Sequence, residues 1–173
     1  DGLVDLVLHE VGHTLGLRHN FKGSSIYSIE ELSNSDFTRK NGISGSVMDY
    51  QPINVFNEET FFQTQPGIYD IWAIEYAYKE FYKTRTNEKE YLDNIASRST
   101  EPYLRYGTDE DTYGLSTRGI DPQSNAWDLT NDPIKYYEQL FDMADELWHS
   151  LSTYFEVDGE QYSKLRRIFG RGL

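Results

Sequence analysis

Three of the four histidines in this chain fall between positions 9 and 19, in the string HEVGHTLGLRH. On an α-helix, His9 and His13 lie about 40° apart on one face and one turn from each other. Two imidazoles in that arrangement can hold one tetrahedral Zn²⁺. Glu10 projects beside such a site, where its carboxylate can take a proton from water at the metal. The spacing therefore predicts a helix that binds a metal on one face.

The third histidine requires a turn in the chain. His19 is too far along to share the helical face of His13, so the helix must end between them. Gly16 has no Cβ and accepts the left-handed conformation that closes a helix and redirects the backbone. A chance occurrence of a bare H-E-x-x-H is the alternative, but five positions match together. Three histidines with a fourth position left open are typical of a catalytic zinc site rather than a structural one.

The string resembles the H-E-x-x-H-x-x-G-x-x-H signature of the metzincin zinc peptidases. Those enzymes have a methionine-bearing turn beneath the metal, and residues 46–50 (SVMDY) are similar to it. The combination with Asn20 after His19 is closer still to a family of large bacterial metzincin-type peptidases. Residues 69–74 (YDIWAI) are similar to the start of the helix that follows the methionine turn. The specific motifs cover residues 9–50, and the likeness over the later chain is looser.

This resemblance implies a zinc-dependent metalloendopeptidase that acts on a peptide or protein substrate. It assigns the metal to three ligands and general-base catalysis to one carboxylate: His9, His13 and His19 for Zn²⁺, and Glu10 for the proton. Met48 becomes an apolar floor beneath the imidazoles, although an ordinary core methionine is the alternative. In the astacin and serralysin branches, a tyrosine at the position of Tyr50 can stabilise the oxyanion. The alternative for Tyr50 is a tyrosine that only packs beside the turn.

Two other classes of function stay open at this point. A zinc-binding pseudoenzyme or interaction scaffold could use the same histidines, although such a protein has no need of Glu10. A zinc hydrolase that acts on another amide or ester is the second alternative. An assay that compares unfolded protein with small esters separates these classes.

The composition limits the partners further. The chain has 16 basic and 29 acidic residues, a net charge of −13, which argues against nucleic acid and anionic membranes as partners. It contains no cysteine, so neither a disulfide nor a thiolate metal site is possible. No apolar run approaches the roughly 20 residues of a membrane span. The family resemblance implies a secreted, periplasmic or cell-envelope location.

Hydrophobic periodicity and capping residues predict a mainly α fold in a single domain, residues 1–173. Residues 1–50 would carry the zinc helix, the third-ligand loop and the methionine turn, and residues 51–173 a helical C-terminal part. The predicted helices are Leu3–Leu15, Ile68–Tyr82, one from Asn87 through Ile95, one from Pro133 to near Phe155, and one from Asp158 to Phe169. Short helical turns are predicted at 28–31 and 35–37, and a possible one near 57–62 within the polar loop 51–65. Residues 99–129 read as a long loop that is either functional or covers other parts.

Several side chains have specific expectations. An apolar stripe on the zinc helix is expected to pack opposite the histidines; it consists of Val4, Val7, Leu8, Val11 and Leu15. Gly12 lies inside that helix, which indicates that another group approaches it closely. The acidic run 109–111 is interpreted as solvated carboxylates, with a Ca²⁺ site as the alternative. His149 is interpreted as a partly exposed structural side chain.

The resemblance also implies that a twisted sheet precedes the zinc helix in a complete α+β zincin-like catalytic domain. The chain would then be the C-terminal subdomain, with its upstream sheet absent and an upstream part of the same domain as a partner. We expect the chain by itself to cleave peptides poorly, since an edge strand holds the substrate. Leu3, Leu6 and Val7 would lie uncovered and become candidates for self-association.

Overall fold

The computed structural model describes residues 1–80, 87–114, 121–156 and 158–170. Within these ranges the protein is mainly helical and has no β-strand, as predicted. It separates into two compact units, Asp1–Pro133 and Ile134–Leu173, which are described separately. The interpretation of residues 1–173 as one domain stays a prediction. The α-helices are α1 (Gly2–Thr14), α2 (Ile29–Leu32), α3 (Ser35–Asn41), α4 (Ile68–Tyr78), α5 (Glu88–Ser97), α6 (Asp109–Thr112), α7 (Pro133–Phe155) and α8 (Tyr162–Phe169).

Helix α1 is the predicted zinc helix, shifted by one residue at each end. Asp1 occupies the position before its first turn, but its side chain makes no capping hydrogen bond. The helix closes as predicted, because Gly16 has a φ of +90° and so lies in the left-handed region. The N–H of Leu17 then donates to the carbonyl of Gly12 at 3.1 Å, which turns the chain back toward the helix.

The apolar stripe of α1 is not packed, and that prediction is wrong for the described residues. Val4, Val7, Val11 and Leu15 are each 40–51 % exposed, and only Leu8 is half-buried. An amphipathic pattern identifies the apolar face of a helix, but it does not supply an element to cover that face. Leu3, Leu6 and Val7 are uncovered as expected. Their self-association stays a prediction.

The close approach predicted at Gly12 is confirmed, and the approaching residue is Met48. Gly12 is buried in the middle of α1, and a Cβ added to it would overlap Sδ of Met48. Met48 is fully buried, and its carbonyl accepts a hydrogen bond from the N–H of Asn20 at 2.9 Å. The glycine therefore lets the residue after Val47 pack directly under the helix that carries His9 and His13.

One buried carboxylate joins the start of α4 to the turn at Val47 and Met48. Asp70 accepts hydrogen bonds from Ser46 Oγ at 2.6 Å, from the N–H of Val47 at 2.8 Å and from the N–H of Gly67 at 2.7 Å. Burial raises the pKa of Asp70, whereas these three donors oppose that shift. The backbone of the methionine turn is thus held by a side chain twenty or more positions later.

The smaller elements follow the capping chemistry of the sequence with local differences. Ser28 and Glu31 form the predicted capping box of α2, whereas Asn34, not Ser35, caps α3. Asn87 precedes α5 but makes no side-chain capping bond. The possible helical turn near 57–62 is absent; Asn57 Oδ1 accepts from two backbone N–H groups there instead. Helix α4 ends at Tyr78, and the predicted continuation to Tyr82 lies partly outside the described residues.

The region predicted as a long loop contacts the segment that follows α1. It contains 3₁₀ turns at Arg98–Thr100 and Pro102–Leu104, then α6, and residues 115–120 lie outside the description. The carbonyl of Gly107 accepts from the N–H of Phe21 at 2.7 Å, and the carbonyl of Arg105 accepts from the amide of Asn20 at 3.0 Å. These bonds fix the later segment beside the third histidine.

The second unit consists mainly of α7 and α8. Helix α7 begins at Pro133 and ends at Phe155, and α8 ends before Gly170, as predicted. The predicted start of α8 at Asp158 is wrong, because residues 158–160 form a turn and the helix begins at Tyr162. Trp148 and Phe169 bring their rings to 5.7 Å, which joins the two helices. His149 is exposed and its Nδ1 donates to the carbonyl of Asp145. Among the described residues, no helix has both the length and the apolar character that crossing a membrane requires.

Candidate metal centre

The three histidines of the HEVGHTLGLRH string meet at the end of α1. The ring centroids are 4.8 Å apart for His9 and His13, 5.3 Å for His9 and His19, and 4.9 Å for His13 and His19. One nitrogen from each ring lies within 4.8 Å of the other two. Among the described residues, His9, His13 and His19 are the group whose possible ligand atoms lie close enough together to hold a metal ion.

Each imidazole is oriented by a hydrogen bond from its Nδ1 atom. The three pairs are His9 with the carbonyl of Val47 (2.8 Å), His13 with the carbonyl of Leu17 (3.0 Å), and His19 with Oδ1 of Asp109 (2.9 Å). Carbonyl and carboxylate oxygens can only accept, so Nδ1 carries the proton in every ring. Each Nε2 atom is then left with a free lone pair, which is the form in which histidine binds metals.

The donor set fits a zinc ion. Nε2 of His19 is buried and has no hydrogen-bond partner, which is costly for a polar atom unless a ligand satisfies it. Burial, followed by the neighbouring histidines, lowers the pKa of His9, so this ring is neutral at physiological pH. Zinc binds imidazole nitrogens at roughly 2.0–2.1 Å, so side-chain shifts of about 1 Å would bring all three nitrogens to one ion.

Two further residues that the sequence singles out lie beside the histidines. The ring of Tyr50 is stacked on His9 with centroids 5.2 Å apart, and lies 4.6 Å from the ring of His19. Burial, and then the charges of Asp109 and Glu10, raise the pKa of Tyr50, so the phenol keeps its proton at neutral pH. Glu10 is exposed, and it lines a cavity together with His9 and Tyr50.

A family model described as Met-zincin matches residues 1–173. The chain belongs to the Met-zincin family. No curated protein and no solved structure matches the chain. Membership in the family indicates a zinc metallopeptidase-like protein and implies that zinc is the metal for the histidine cluster.

In this Met-zincin chain, the acidic run 109–111 is part of the centre. Its interpretation as solvated carboxylates holds in part, because the side chains of Glu110 and Asp109 are 69 % and 43 % exposed, but each also has a specific partner. Asp109 accepts from His19, both carboxylate oxygens of Glu110 accept from Arg18 at 2.8–2.9 Å, and Asp111 accepts from the N–H of Thr108. The capping box of Thr108 and Asp111 is a local signal for a helical turn, but nothing near Asp109 in the sequence points to a histidine 90 positions away.

Trp127 is a second residue of the Met-zincin site that the sequence does not reveal. Its backbone has a φ of +67°, in the left-handed region that few non-glycine residues adopt. Its N–H donates to the carbonyl of Tyr50 at 2.7 Å, and the two rings stack with centroids 5.9 Å apart. The indole is nevertheless 64 % exposed, so it forms an aromatic wall beside the histidines. A positive φ at tryptophan has no local sequence signature.

Gly16 and Met48 are the two residues that the sequence predicts to support the site. Gly16 ends α1 in the left-handed conformation, and Met48 lies buried under Gly12 in the turn after Val47. Because the carbonyl of Val47 accepts the hydrogen bond that orients His9, the position of the turn affects the orientation of the first histidine. The apolar floor that Met48 would provide beneath the metal stays a prediction.

Proposed function

We propose that this chain carries the active site of a zinc-dependent metalloendopeptidase. His9, His13 and His19 would hold the ion, and Glu10 would act as general base. When bound, zinc supplies Lewis-acid polarisation of the scissile carbonyl and lowers the pKa of water at the site. Family membership and the histidine geometry support this proposal; the roles of the individual residues are part of the proposal itself.

The observation that carries the proposal is the set of three Nδ1 hydrogen bonds. Two are to backbone carbonyls and one is to a carboxylate, and together they leave Nε2 of each ring free, while one nitrogen of each ring lies within 4.8 Å of the other two. A histidine cluster that only packs or only binds water has no need of the same tautomer in all three rings. Orienting hydrogen bonds of this kind accompany metal-binding histidines in general.

Two side chains would perform the proton transfer and the charge stabilisation. Glu10 follows a ligand on α1 and is exposed, so its carboxylate can receive a proton from the attacking water and pass it to the leaving amine. Tyr50 keeps its phenolic proton and lies within ring contact of His9 and His19. A neutral donor at that place can stabilise the oxyanion that develops on the substrate.

The test compares two Glu→Gln variants of the protein at its natural length. Glu10→Gln leaves the three imidazoles untouched, so we expect bound zinc to persist while hydrolysis of unfolded casein falls by about two to four orders of magnitude. Glu58→Gln, at an exposed glutamate outside the site, is the matched control and should retain activity. Near-normal turnover of Glu10→Gln would show that another group acts as the base.

The same experiment distinguishes the other classes of function. A zinc-binding scaffold would bind stoichiometric zinc but leave both casein and small esters intact in the unmodified protein. A non-peptidase zinc hydrolase would act on an ester or a non-peptide amide and leave casein intact. Only casein cleavage that depends on both zinc and Glu10 supports the peptidase.

A further inference from the structure

A cavity of about 310 Å³ opens beside the histidine cluster, between the first half of α1 and the segment that follows the methionine turn. His9 and Glu10 belong to its wall, so the cavity is continuous with the candidate metal centre. Its wall also includes Asp5, Asp49, Gln51 and Trp127. A substrate group beside the scissile bond can therefore enter it.

One side of this cavity presents hydrogen-bond acceptors that lack sufficient donors. Asp5 lies one turn before His9 on α1 and is half-buried, and its Oδ1 has a long contact of 3.4 Å with Nε2 of Gln51. Gln51 is only 9 % exposed, and its Oε1 has no hydrogen-bond partner. Oδ1 of Asp49, which is 4 % exposed, has none either. Buried acceptors of this kind are normally satisfied by a donor.

The charge of the wall has one sign. Asp5 and Glu10 contribute carboxylates, and none of the lining residues is a lysine or an arginine. Burial raises the pKa of Asp49 well above its usual range, so this residue adds polar oxygens rather than charge. Within the described residues Asp5 forms no ion pair, and burial raises its pKa to about 6 against the opposing hydrogen bond from Gln51. A partly desolvated carboxylate without a counter-charge interacts strongly with a cation that enters the site.

The wall of the cavity also has an aromatic side chain. Trp127 is 64 % exposed, and its backbone N–H donates a hydrogen bond to the carbonyl of Tyr50, which holds the residue in place. An indole face attracts a guanidinium or ammonium group, and the attraction increases when water is displaced. An elongated cationic side chain thus finds an aromatic surface along its stem and acceptors near its end.

We propose that this cavity binds a lysine or arginine side chain of the peptide substrate, with Asp5 as the specificity-determining residue. The inference rests on the proposed peptidase function of the adjacent centre. An acidic side chain would be repelled by the carboxylates of Asp5 and Glu10. An apolar side chain would fill the cavity but leave Oε1 of Gln51 without a donor and Asp5 without a counter-charge, which costs binding energy.

The first measurement is a panel of peptides that differ at one position at a time. Lysine, arginine, norleucine and glutamate are placed in turn on each side of the scissile bond, and kcat/KM is measured on the zinc-loaded protein. We expect one position at which lysine or arginine exceeds norleucine by about 10- to 100-fold. Asp5→Asn should remove most of that preference, whereas Asp142→Asn, at an exposed aspartate of α7, should retain it.

The second measurement does not depend on turnover. In the Glu10→Gln variant, calorimetry compares the affinity of the preferred lysine peptide with that of its norleucine analogue, with zinc content and melting temperature as checks on folding. If lysine peptides are hydrolysed or bound no better than norleucine peptides at every position, the basic-side-chain proposal is overturned. If peptides bind with the predicted preference but none is hydrolysed by the unmodified protein, the peptidase proposal fails and the subsite stands.

Discussion

Nδ1 of His19 lies 2.9 Å from Oδ1 of Asp109, a residue 90 positions further along the chain. The neighbouring Glu110 accepts two hydrogen bonds from Arg18, the residue before His19. Two residues of α6 therefore hold the third histidine and the residue before it. Metal ligands commonly depend on such partners, because an oriented imidazole loses less freedom when it binds.

We expect Asp109→Ala to weaken zinc binding by about 10- to 100-fold, the usual effect of removing a partner that orients a metal ligand. Glu110→Gln is the matched control, because the ion pair that it weakens is exposed and contributes little. Zinc affinity is measured by competition with a chelator. Equal zinc affinity of Asp109→Ala and Glu110→Gln would contradict the orienting role of Asp109.

Gly12→Ala should destabilise the protein by about 1–3 kcal/mol, because the new methyl group overlaps the sulfur of Met48 in a packed region. Alanine also favours a helix over glycine by about 1 kcal/mol, which opposes that cost. The test is a double-mutant cycle with Met48→Ala, followed by urea unfolding. Gly12→Ala should cost less when Met48 is already alanine; additive effects of the two changes would show that the contact is unimportant.

The pH dependence of stability should carry a contribution from Asp5. Burial raises its pKa to about 6 in the folded protein, and an unfolded aspartate has a pKa of about 3.9. Between these values the folded state holds a proton that the unfolded state has lost. The stabilising contribution of Asp5 to the free energy of unfolding is thus complete below about pH 4 and is lost as the pH rises through about 6.

The comparison with Asp5→Asn isolates this effect from other titrating groups. The quantity compared, in metal-free protein, is the unfolding free energy of the unmodified chain minus that of Asp5→Asn. This difference should fall as the pH rises from 4 to 7. Asp142→Asn should show no such trend. A difference that is constant over this range would mean that Asp5 has the same pKa in both states.

Tyr50→Phe should reduce kcat by about 100-fold or more while KM changes little, because the phenol would donate mainly in the transition state. Tyr76→Phe removes a hydroxyl from an exposed tyrosine of α4 and serves as the control. Steady-state kinetics on a peptide substrate separates the two constants. An unchanged kcat would show that Tyr50 only packs against His9 and His19.

The metal centre was predictable because its information is local. The spacing of His9, Glu10 and His13, together with Gly16, determines a helix face and the turn that ends it. The approach to Gly12 was also predictable, because a glycine inside a helix is unfavourable without a reason. That the approaching residue is Met48 follows only from the structure.

The remaining contacts of the site could not be predicted, because they join distant segments without periodicity. Asp109 and Trp127 lie in a region whose sequence predicts only a long loop, yet one orients His19 and the other stacks on Tyr50. The error on the α1 stripe has a different cause. Val4 and Val11 identify an apolar face correctly, but a pattern in one helix does not show what lies against it.

The zinc content of histidine variants tests the central claim most directly. The purified protein and its His149→Ala variant, which removes the exposed histidine of α7, should each bind one zinc ion per chain. The double variant His9→Ala/His13→Ala should bind none after the same dialysis. Stoichiometric zinc in that double variant, or its loss in His149→Ala alone, would contradict the assignment of the metal to His9, His13 and His19.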